Sequence, residues 1–137
     1  MNNLHSDVKY SRAISPAAAT VDNTPWVSQI LDTANFAENE LVIATGLLAD
    51  IDATFTVLLE EGNVSTLTDN VAVADADMLG TEAGASFTFS ADDSTRKLGY
   101  IGGKRYIRAT ITPANNTGNA FVSAVWAQSG ARYAPQA

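Results

Sequence analysis

The chain has 137 residues, of which 46% are hydrophobic, so it can bury one core of ordinary size and is not expected to be disordered. It contains no cysteine, which excludes disulfide bonds, thiolate nucleophiles and thiolate metal sites. Its formal net charge of −7 argues against direct binding to nucleic acid, which needs a positive surface.

The charges are segregated along the chain. Residues 22–93 hold 14 acidic residues and no Lys or Arg, whereas residues 96–137 hold six basic residues and no Asp or Glu. The basic segment can pair with acidic strands in a folded sheet, or it can form a binding pole on an otherwise acidic molecule. The sequence leaves both interpretations open.

Residues 1–25 are predicted to form an extended N-terminal arm, interrupted by Pro16 and Pro25. Tyr10 and Ile14 stand among alternating polar residues, so part of the arm can pair as an edge strand or contact a neighbouring protein. The N-terminus lacks the regions of a signal peptide, and the longest apolar run, residues 41–49, is too short to span a bilayer. We therefore expect a protein made in the cytoplasm, with no membrane partner.

Residues 26–128 are predicted to form the folded domain, with about eight strands and no long helical period. The strands are expected at 26–31, 40–45, 53–61, 71–79, 85–90, 97–101, 104–113 and 120–128. The predicted fold is all-β, an antiparallel two-sheet sandwich of the jelly-roll type, with an immunoglobulin-like sandwich as the alternative. Residues 129–137 are expected to be a C-terminal tail. The predicted core contains Phe55, Val57, Leu59, Phe87, Phe89, Ile107 and Ile111.

Gly102 and Gly103 lie between two β-type runs and predict a tight β-hairpin over residues 97–113. In that register one face is expected to line the core, with Leu98, Tyr100, Ile107, Ala109 and Ile111. The other face places Lys97 directly opposite Arg108 and also carries Lys104 and Tyr106. This basic face is a candidate protein interface, because Tyr106 is an amphipathic side chain of the kind enriched at interfaces.

No pattern in the sequence indicates catalysis. His5 is the only histidine, and neither a nucleophile elbow nor a phosphate-binding loop is present. Asp50 with Asp52, and Asp75 with Asp77, lack the other ligands of a calcium loop and are interpreted as solvated turn carboxylates. We predict a protein that is not an enzyme, with no catalytic, cofactor-binding or metal-binding residues.

The predicted functional residues are those of a protein interface. They lie in the arm, on the hairpin and in the last strand, which is apolar on both faces: Tyr10, Ile14, Lys97, Lys104, Tyr106, Arg108 and Trp126. The alternative for Trp126 is packing beneath the N-terminal arm.

Four segments, LADIDATFTV (48–57), DADMLGTE (75–82), RKLGYIGGKRY (96–106) and TPANNTG (112–118), give the chain a resemblance to small structural proteins of tailed bacteriophages. It is similar to the head decoration, or cement, proteins with a jelly-roll fold, over nearly its whole length. The resemblance implies a virion protein on the capsid surface that binds the major capsid protein and stabilises the shell by bridging its subunits. It offers no motif residues to transfer.

Under this interpretation the protein is assembled in the host cytoplasm and works as a homo-oligomer, a dimer or trimer. The alternative is a non-enzymatic ligand- or carbohydrate-binding β-sandwich module, such as a receptor-binding knob.

Overall fold

Eleven strands of this chain form two antiparallel sheets that pack face to face as a jelly-roll-type sandwich. The structure is a computed structural model and describes residues 3–132. The predicted all-β sandwich is confirmed, but the strands number eleven rather than about eight. The difference arises because two predicted strands, 26–31 and 71–79, are each split into two, and because the arm contributes the strand Lys9–Ile14. The segment predicted at 26–31, for example, consists of two short strands.

Sheet A contains five strands. They are β1 (Lys9–Ile14), β4 (Phe36–Leu48), β7 (Met78–Leu79), β9 (Thr95–Tyr100) and β11 (Ala120–Ala131), arranged in the order β1-β11-β4-β9-β7. The long β4 and β11 pair along most of their length and form the middle of this sheet.

Sheet B is built around two long strands, β5 (Thr54–Gly62) and β10 (Tyr106–Ala114), which pair with each other. The short strands β2 (Trp26–Val27) and β3 (Leu31–Asp32) pair with β10, and β6 (Val71–Ala72) and β8 (Phe87–Thr88) pair with β5. Two short α-helices, α1 (Leu4–Asp7) and α2 (Glu82–Ala85), and two 3₁₀ turns, Asp75–Asp77 and Phe89–Ala91, complete the described elements. No helix among residues 3–132 is long and apolar enough to cross a membrane.

The core lies between the inward faces of the two sheets, as the alternating patterns predict. Phe55 stacks on Phe87 with ring centroids 4.9 Å apart. Six of the seven predicted core residues are buried: Phe55, Val57, Leu59, Phe87, Ile107 and Ile111. The prediction for Phe89 is wrong, since its side chain is 41% exposed. The chain enters a 3₁₀ turn at Phe89, so the alternation stops there and Ala91 is buried instead.

Part of the N-terminal arm belongs to sheet A. Strand β1 pairs with β11, with Tyr10 opposite Ala127 and Arg12 opposite Val125. Ile14 is buried at the end of this strand. The edge-strand interpretation of this part of the arm is therefore confirmed. At the other terminus, β11 continues to Ala131, and residues 133–137 of the predicted tail lie outside the described part of the chain.

The predicted hairpin over residues 97–113 is wrong. Strand β9 pairs with β4 and β7 in sheet A, whereas β10 pairs with β5 and the short strands of sheet B, so residues 101–105 cross from one sheet to the other. Lys97 lies opposite Val42 and Arg108 opposite Glu60, so the predicted like-charge pair does not form. The predicted inward face of both strands is nevertheless buried, because the two inward faces meet in the core.

The crossing segment is organised around the side chain of Tyr100. The Tyr100 hydroxyl accepts a 2.9 Å hydrogen bond from the backbone N–H of Lys104. A Cβ atom on Gly102 would lie 2.6 Å from the same hydroxyl oxygen. Glycine at position 102 is thus required for close packing on the tyrosine ring. Gly102, which the sequence analysis assigns to a hairpin turn, is therefore explained instead by its contact with the Tyr100 side chain.

Candidate protein interface on sheet A

The register of sheet A arranges its outward side chains in rows that run across the strands. The row that we call the groove row crosses from β1 to β7 and contains Tyr10, Ala127, Glu40, Gly99 and Leu79. The adjacent row, which we call the ridge row, lies two residues away along each strand and contains Arg12, Val125, Val42 and Lys97. Because directly opposite residues share a face, both rows lie on the outer surface of the sheet.

A groove of about 350 Å³ follows the groove row. Its floor is low at Ala127, which carries only a methyl group, whereas the Leu79 side chain lies over Gly99. Its ends are high, because Tyr10 and Leu79 are each 58% exposed. The exposed Ile101 continues the apolar rim. The groove therefore combines apolar ends with a floor in which Ala127 lies next to the carboxylate-bearing Glu40.

A second depression, of about 210 Å³, lies on the same sheet face beyond the ridge row. It is bounded by Ala44 on β4, by Phe121 on β11 and by Pro16 in the segment that follows β1. Phe121 is exposed there, as is Val125 in the ridge row. The ridge row thus stands between two depressions, and large apolar side chains remain in contact with solvent on both sides of it.

The charges in the two rows on this face form no ion pair among residues 3–132. Both ion pairs found among residues 3–132 lie on the side of sheet B. Glu40 in the groove row, and Arg12 and Lys97 in the ridge row, have no ion-pair partner in this part of the chain. Glu38 also lines the groove. The outer face of sheet A therefore presents one carboxylate, Glu40, in the groove row, a second, Glu38, in the row beyond it, and the cations Arg12 and Lys97 in the ridge row.

The outer face of sheet B has a different character. Its outward side chains on β5 and β10 include four threonines, Thr54, Thr56, Thr110 and Thr112. Arg108 donates from Nη2 to Oε1 of Glu60 at 3.0 Å, directly across the two strands. This pair confirms the interpretation in which basic and acidic strands pair within the sheet. It also corrects the prediction that Arg108 belongs to a free basic face, since Glu60 partly neutralises its charge.

The predicted interface residues of the crossing segment and β10 lie away from sheet A's outer face. Lys104 is exposed in the crossing segment, next to Arg105. Arg105 lies over the Tyr106 ring at 5.1 Å and forms a bidentate pair with Asp32, with both N–O distances 2.9 Å. The hydrogen bond from Arg105 holds the pKa of the Asp32 carboxyl below its usual value. Tyr106 is half-buried under this pair.

Two other predicted interface residues are buried in the sandwich. Trp126 is 1% exposed, and its indole Nε1 donates to the backbone oxygen of Gln29 at 3.2 Å. Ile14 is also buried. Trp126 occupies an inward position of β11, and an irregularity in register between Arg12 and Ile14 turns Ile14 to the inward face of β1. Among the predicted residues, only Tyr10 and Lys97 belong to the two rows on sheet A.

Apart from Tyr10, the residues of the groove row are not predicted as interface residues by the sequence analysis. Ala127, Glu40, Gly99 and Leu79 come from four strands far apart in the chain. Each is unremarkable in its own segment, and only the order of strands in the sheet places them in one row. The single signal in the sequence is Gly99, whose missing side chain interrupts an otherwise regular strand.

Among the carboxylates considered as cation ligands, Asp50 has other partners. Asp50 accepts hydrogen bonds from the backbone N–H and the hydroxyl of Thr117, at 2.8 and 2.9 Å, and from the backbone N–H of Asp52 at 2.8 Å. These hydrogen bonds, with that from the Thr117 backbone first, lower the pKa of the Asp50 carboxyl. Within residues 3–132, no group of three or more His, Asp or Glu side chains is placed to hold a metal ion. Through these hydrogen bonds, Asp50 links the loop between β4 and β5 to the loop between β10 and β11.

No protein-family model matches the chain, and no curated protein matches it either. Among solved structures, it is similar to a family two carbohydrate esterase from Cellvibrio japonicus, with 7% identity and a TM-score of 0.44, over 96% of this chain and 36% of that one. It is also similar to CBM35 from Paenibacillus barcinonensis, with 9% identity and a TM-score of 0.44, over 94% and 99% of the two chains.

A third similar structure is that of infectious bursal disease virus, Gx strain, with 14% identity and a TM-score of 0.40, over 95% of this chain and 35% of that one. The chain thus spans about a third of the length of the esterase and viral chains. None of these likenesses assigns a function to it.

Proposed function

We propose that this chain is a non-enzymatic virion structural protein that decorates a bacteriophage capsid and stabilises it by bridging capsid subunits. The observation that carries the proposal is the outer face of sheet A, where Tyr10 and Leu79 stay more than half exposed around an apolar groove. Exposed apolar surfaces of this kind mark contacts with other proteins. The resemblance of four segments to head decoration proteins supplies the phage context.

Exposed apolar side chains on other sides of the molecule support a bridging role. Val27 and Leu58 are exposed on the outer face of sheet B, and Ile51 is exposed in an end loop. A protein that joins neighbouring subunits needs contacts in more than one direction. Each such contact can be weak, because contacts repeated by the symmetry of a shell act together through multivalency.

The partner in this proposal is the major capsid protein, and the site of action is the capsid surface after assembly in the host cytoplasm. The exposed Lys104, at the segment that crosses between the sheets, offers a cation to an acidic partner surface. Its contribution should weaken with salt, because exposed charges are screened over about 8 Å at physiological ionic strength.

The experiment is co-sedimentation of the purified protein with phage heads that lack it. We expect saturable binding, and we expect Lys104→Glu to weaken that binding more at low salt than at high salt. Thr112→Glu, which adds one negative charge on the outer face of sheet B where Lys104→Glu changes the charge by two units, is the comparison variant. Protein that stays in the supernatant at every concentration would overturn the proposal.

A second candidate function, a carbohydrate-binding β-sandwich module such as a receptor-binding knob, is favoured by one observation. The groove holds an exposed aromatic side chain, Tyr10, together with the carboxylates Glu38 and Glu40. A sugar ring can stack on the tyrosine while its hydroxyls donate hydrogen bonds to the carboxylates. Glycan binding that is lost in Tyr10→Ala, in a protein that does not bind heads, would select this function.

A further inference from the structure

We propose that two copies of this chain pair through the outer faces of sheet A, with the ridge row of each copy seated in the groove row of the other. The inference deepens the proposed function and rests on its homo-oligomeric part, because it names the surface and the partner that cover the groove. The partner is a second copy of this chain, and the argument comes from the size and charge of the residues in the two rows.

A single rotation brings the rows together. The two-fold axis lies between the two stacked faces, runs parallel to the rows and passes between the groove row and the ridge row. This rotation keeps each strand over its own equivalent in the second copy but exchanges the two rows. The resulting contact is isologous, since both copies use the same patch. The spacing is that of stacked sheets, about 10 Å.

The side-chain sizes fit this exchange. On β11, Ala127 of one copy faces Val125 of the second, so a small residue receives a larger one. On β9, Gly99 faces Lys97 of the second copy, and the lysine stem can lie along Leu79, which covers Gly99 at 2.9 Å from the position of a Cβ atom. On β11 the low floor of the groove therefore receives the ridge, and on β9 the Leu79 side chain and the lysine stem share the space above Gly99.

The charges fit it as well. On β4, Glu40 faces Val42 of the second copy, and Lys97 of that copy lies on the adjacent strand, about 5 Å to the side. Glu40 and Lys97, which are unpaired within the described chain, can thus form an ion pair between copies. On β1, the Tyr10 ring faces Arg12 of the second copy, a cation–π arrangement. Symmetry produces each of these contacts twice.

The charge pattern also rejects the other way of stacking the same faces. A two-fold axis parallel to the strands, between β11 and β4, would place the ridge row of one copy over the ridge row of the other. Arg12 would then face Lys97 of the second copy, twice, and both pairs would repel. The repulsion between the two ridge rows therefore favours the axis that runs parallel to the rows.

The test measures the mass of the purified 137-residue chain alone by sedimentation equilibrium. We expect a dimer of twice the 14.4 kDa chain mass. Glu40→Lys and Lys97→Glu should each raise the dimer dissociation constant by at least about tenfold, because each replaces two attractive pairs by two repulsive ones. Thr56→Lys, on the outer face of sheet B, is the control and should leave the constant unchanged.

The decisive experiment mixes the two single variants. Each variant alone repels itself, but Glu40→Lys mixed with Lys97→Glu creates attractive pairs at both symmetric positions, so a heterodimer with parent-like affinity should form. Val125→Glu breaks the apolar centre without using the ion pair and should also yield monomers, with a folded circular dichroism spectrum. A monomeric parent at high concentration, or single variants that dimerise like the parent, would overturn the inference.

This result is separate from the test of the proposed function. Heads that bind a monomeric protein would refute the dimer and leave capsid decoration intact. A dimer that follows the charge swaps but does not bind heads would refute capsid decoration and leave the paired surface intact.

Discussion

The hydroxyl of Tyr100 donates a 2.6 Å hydrogen bond to Oε2 of the buried Glu61, and this contact joins sheet A to sheet B. The two residues lie at the ends of β9 and β5, beside the segment that crosses between the sheets. The same hydroxyl holds the backbone of Lys104. One side chain thus fixes both the junction of the sheets and the path of the chain between them.

Removing this hydroxyl should destabilise the fold. Tyr100→Phe leaves the buried carboxylate of Glu61 without its tyrosine donor, and we expect a loss of about 1–3 kcal/mol in the free energy of unfolding. Tyr106→Phe is the matched control, because no hydrogen bond of its hydroxyl is found among residues 3–132. Urea denaturation of both variants measures the difference, and equal losses would contradict the role assigned to Tyr100.

Tyr100 should also govern stability at alkaline pH. Burial, followed by the hydrogen bond to Glu61, raises the pKa of its hydroxyl above the ordinary value of 10.0. The unfolded chain then loses this proton at lower pH than the folded chain, so the contribution is fully present below pH 10 and declines above it. The stability gap between the parent and Tyr100→Phe should narrow above about pH 10. A gap that stays constant through pH 11 would argue against this linkage.

The inward faces of the strands could be predicted from the sequence, whereas the pairing of the strands could not. Alternation is a local property, so Leu98 and Ile107 were assigned correctly to the core even though their strands lie in different sheets. Two glycines between β-type runs fit a hairpin and a crossing segment equally well. Which of the two forms depends on the hydrogen bond between Tyr100 and Glu61, which lies 39 residues earlier in the chain. No local sequence pattern predicts that contact.

Phe55 and Phe89 are both predicted core residues, but truncating them should change the free energy of unfolding by different amounts. Phe55→Ala should cost about 3–5 kcal/mol of unfolding free energy, because it removes a ring packed between Trp26 and Phe87. Phe89→Ala should cost much less, since its ring is largely in solvent. Thermal or urea unfolding of the two variants tests this, and a larger loss for Phe89→Ala would show that the 3₁₀ turn is placed wrongly.

Tyr10 and Ile14, which share β1, should respond in opposite ways. Ile14→Ala removes a buried side chain and should lower the free energy of unfolding by about 2–4 kcal/mol while the dimer contacts stay in place. Tyr10→Ala should leave stability nearly unchanged but weaken the association of two copies, because the ring is exposed in the groove row. Parallel unfolding and sedimentation measurements check both, and a reversed pattern would contradict the assigned faces.

Metal removal should have no effect on stability. The carboxylate oxygens of Asp50 already accept hydrogen bonds from Thr117 and Asp52. These hydrogen bonds hold the loop between β4 and β5 in place without a cation. We expect the same melting temperature before and after dialysis against a chelator. A fall of several degrees that calcium restores would show that an end loop holds a structural ion.

The groove could not be predicted because it is a property of the assembled sheet. Glu40, Gly99 and Ala127 come from three different strands and become neighbours only through the strand order β11-β4-β9. Tyr10 was identified as an exposed anchor because an aromatic residue in a polar segment is visible locally. The buried Trp126 was misassigned for the converse reason, since an apolar strand does not reveal which of its faces is covered.

The thermal stability of purified phage heads, measured with and without this protein, tests the capsid-decoration proposal most directly. Heads saturated with the parent protein should lose their integrity at a higher temperature than bare heads, and the bound protein should reach a fixed copy number per head. Heads that bind no protein, or that bind it and open at the same temperature as bare heads, would contradict a stabilising role on the capsid.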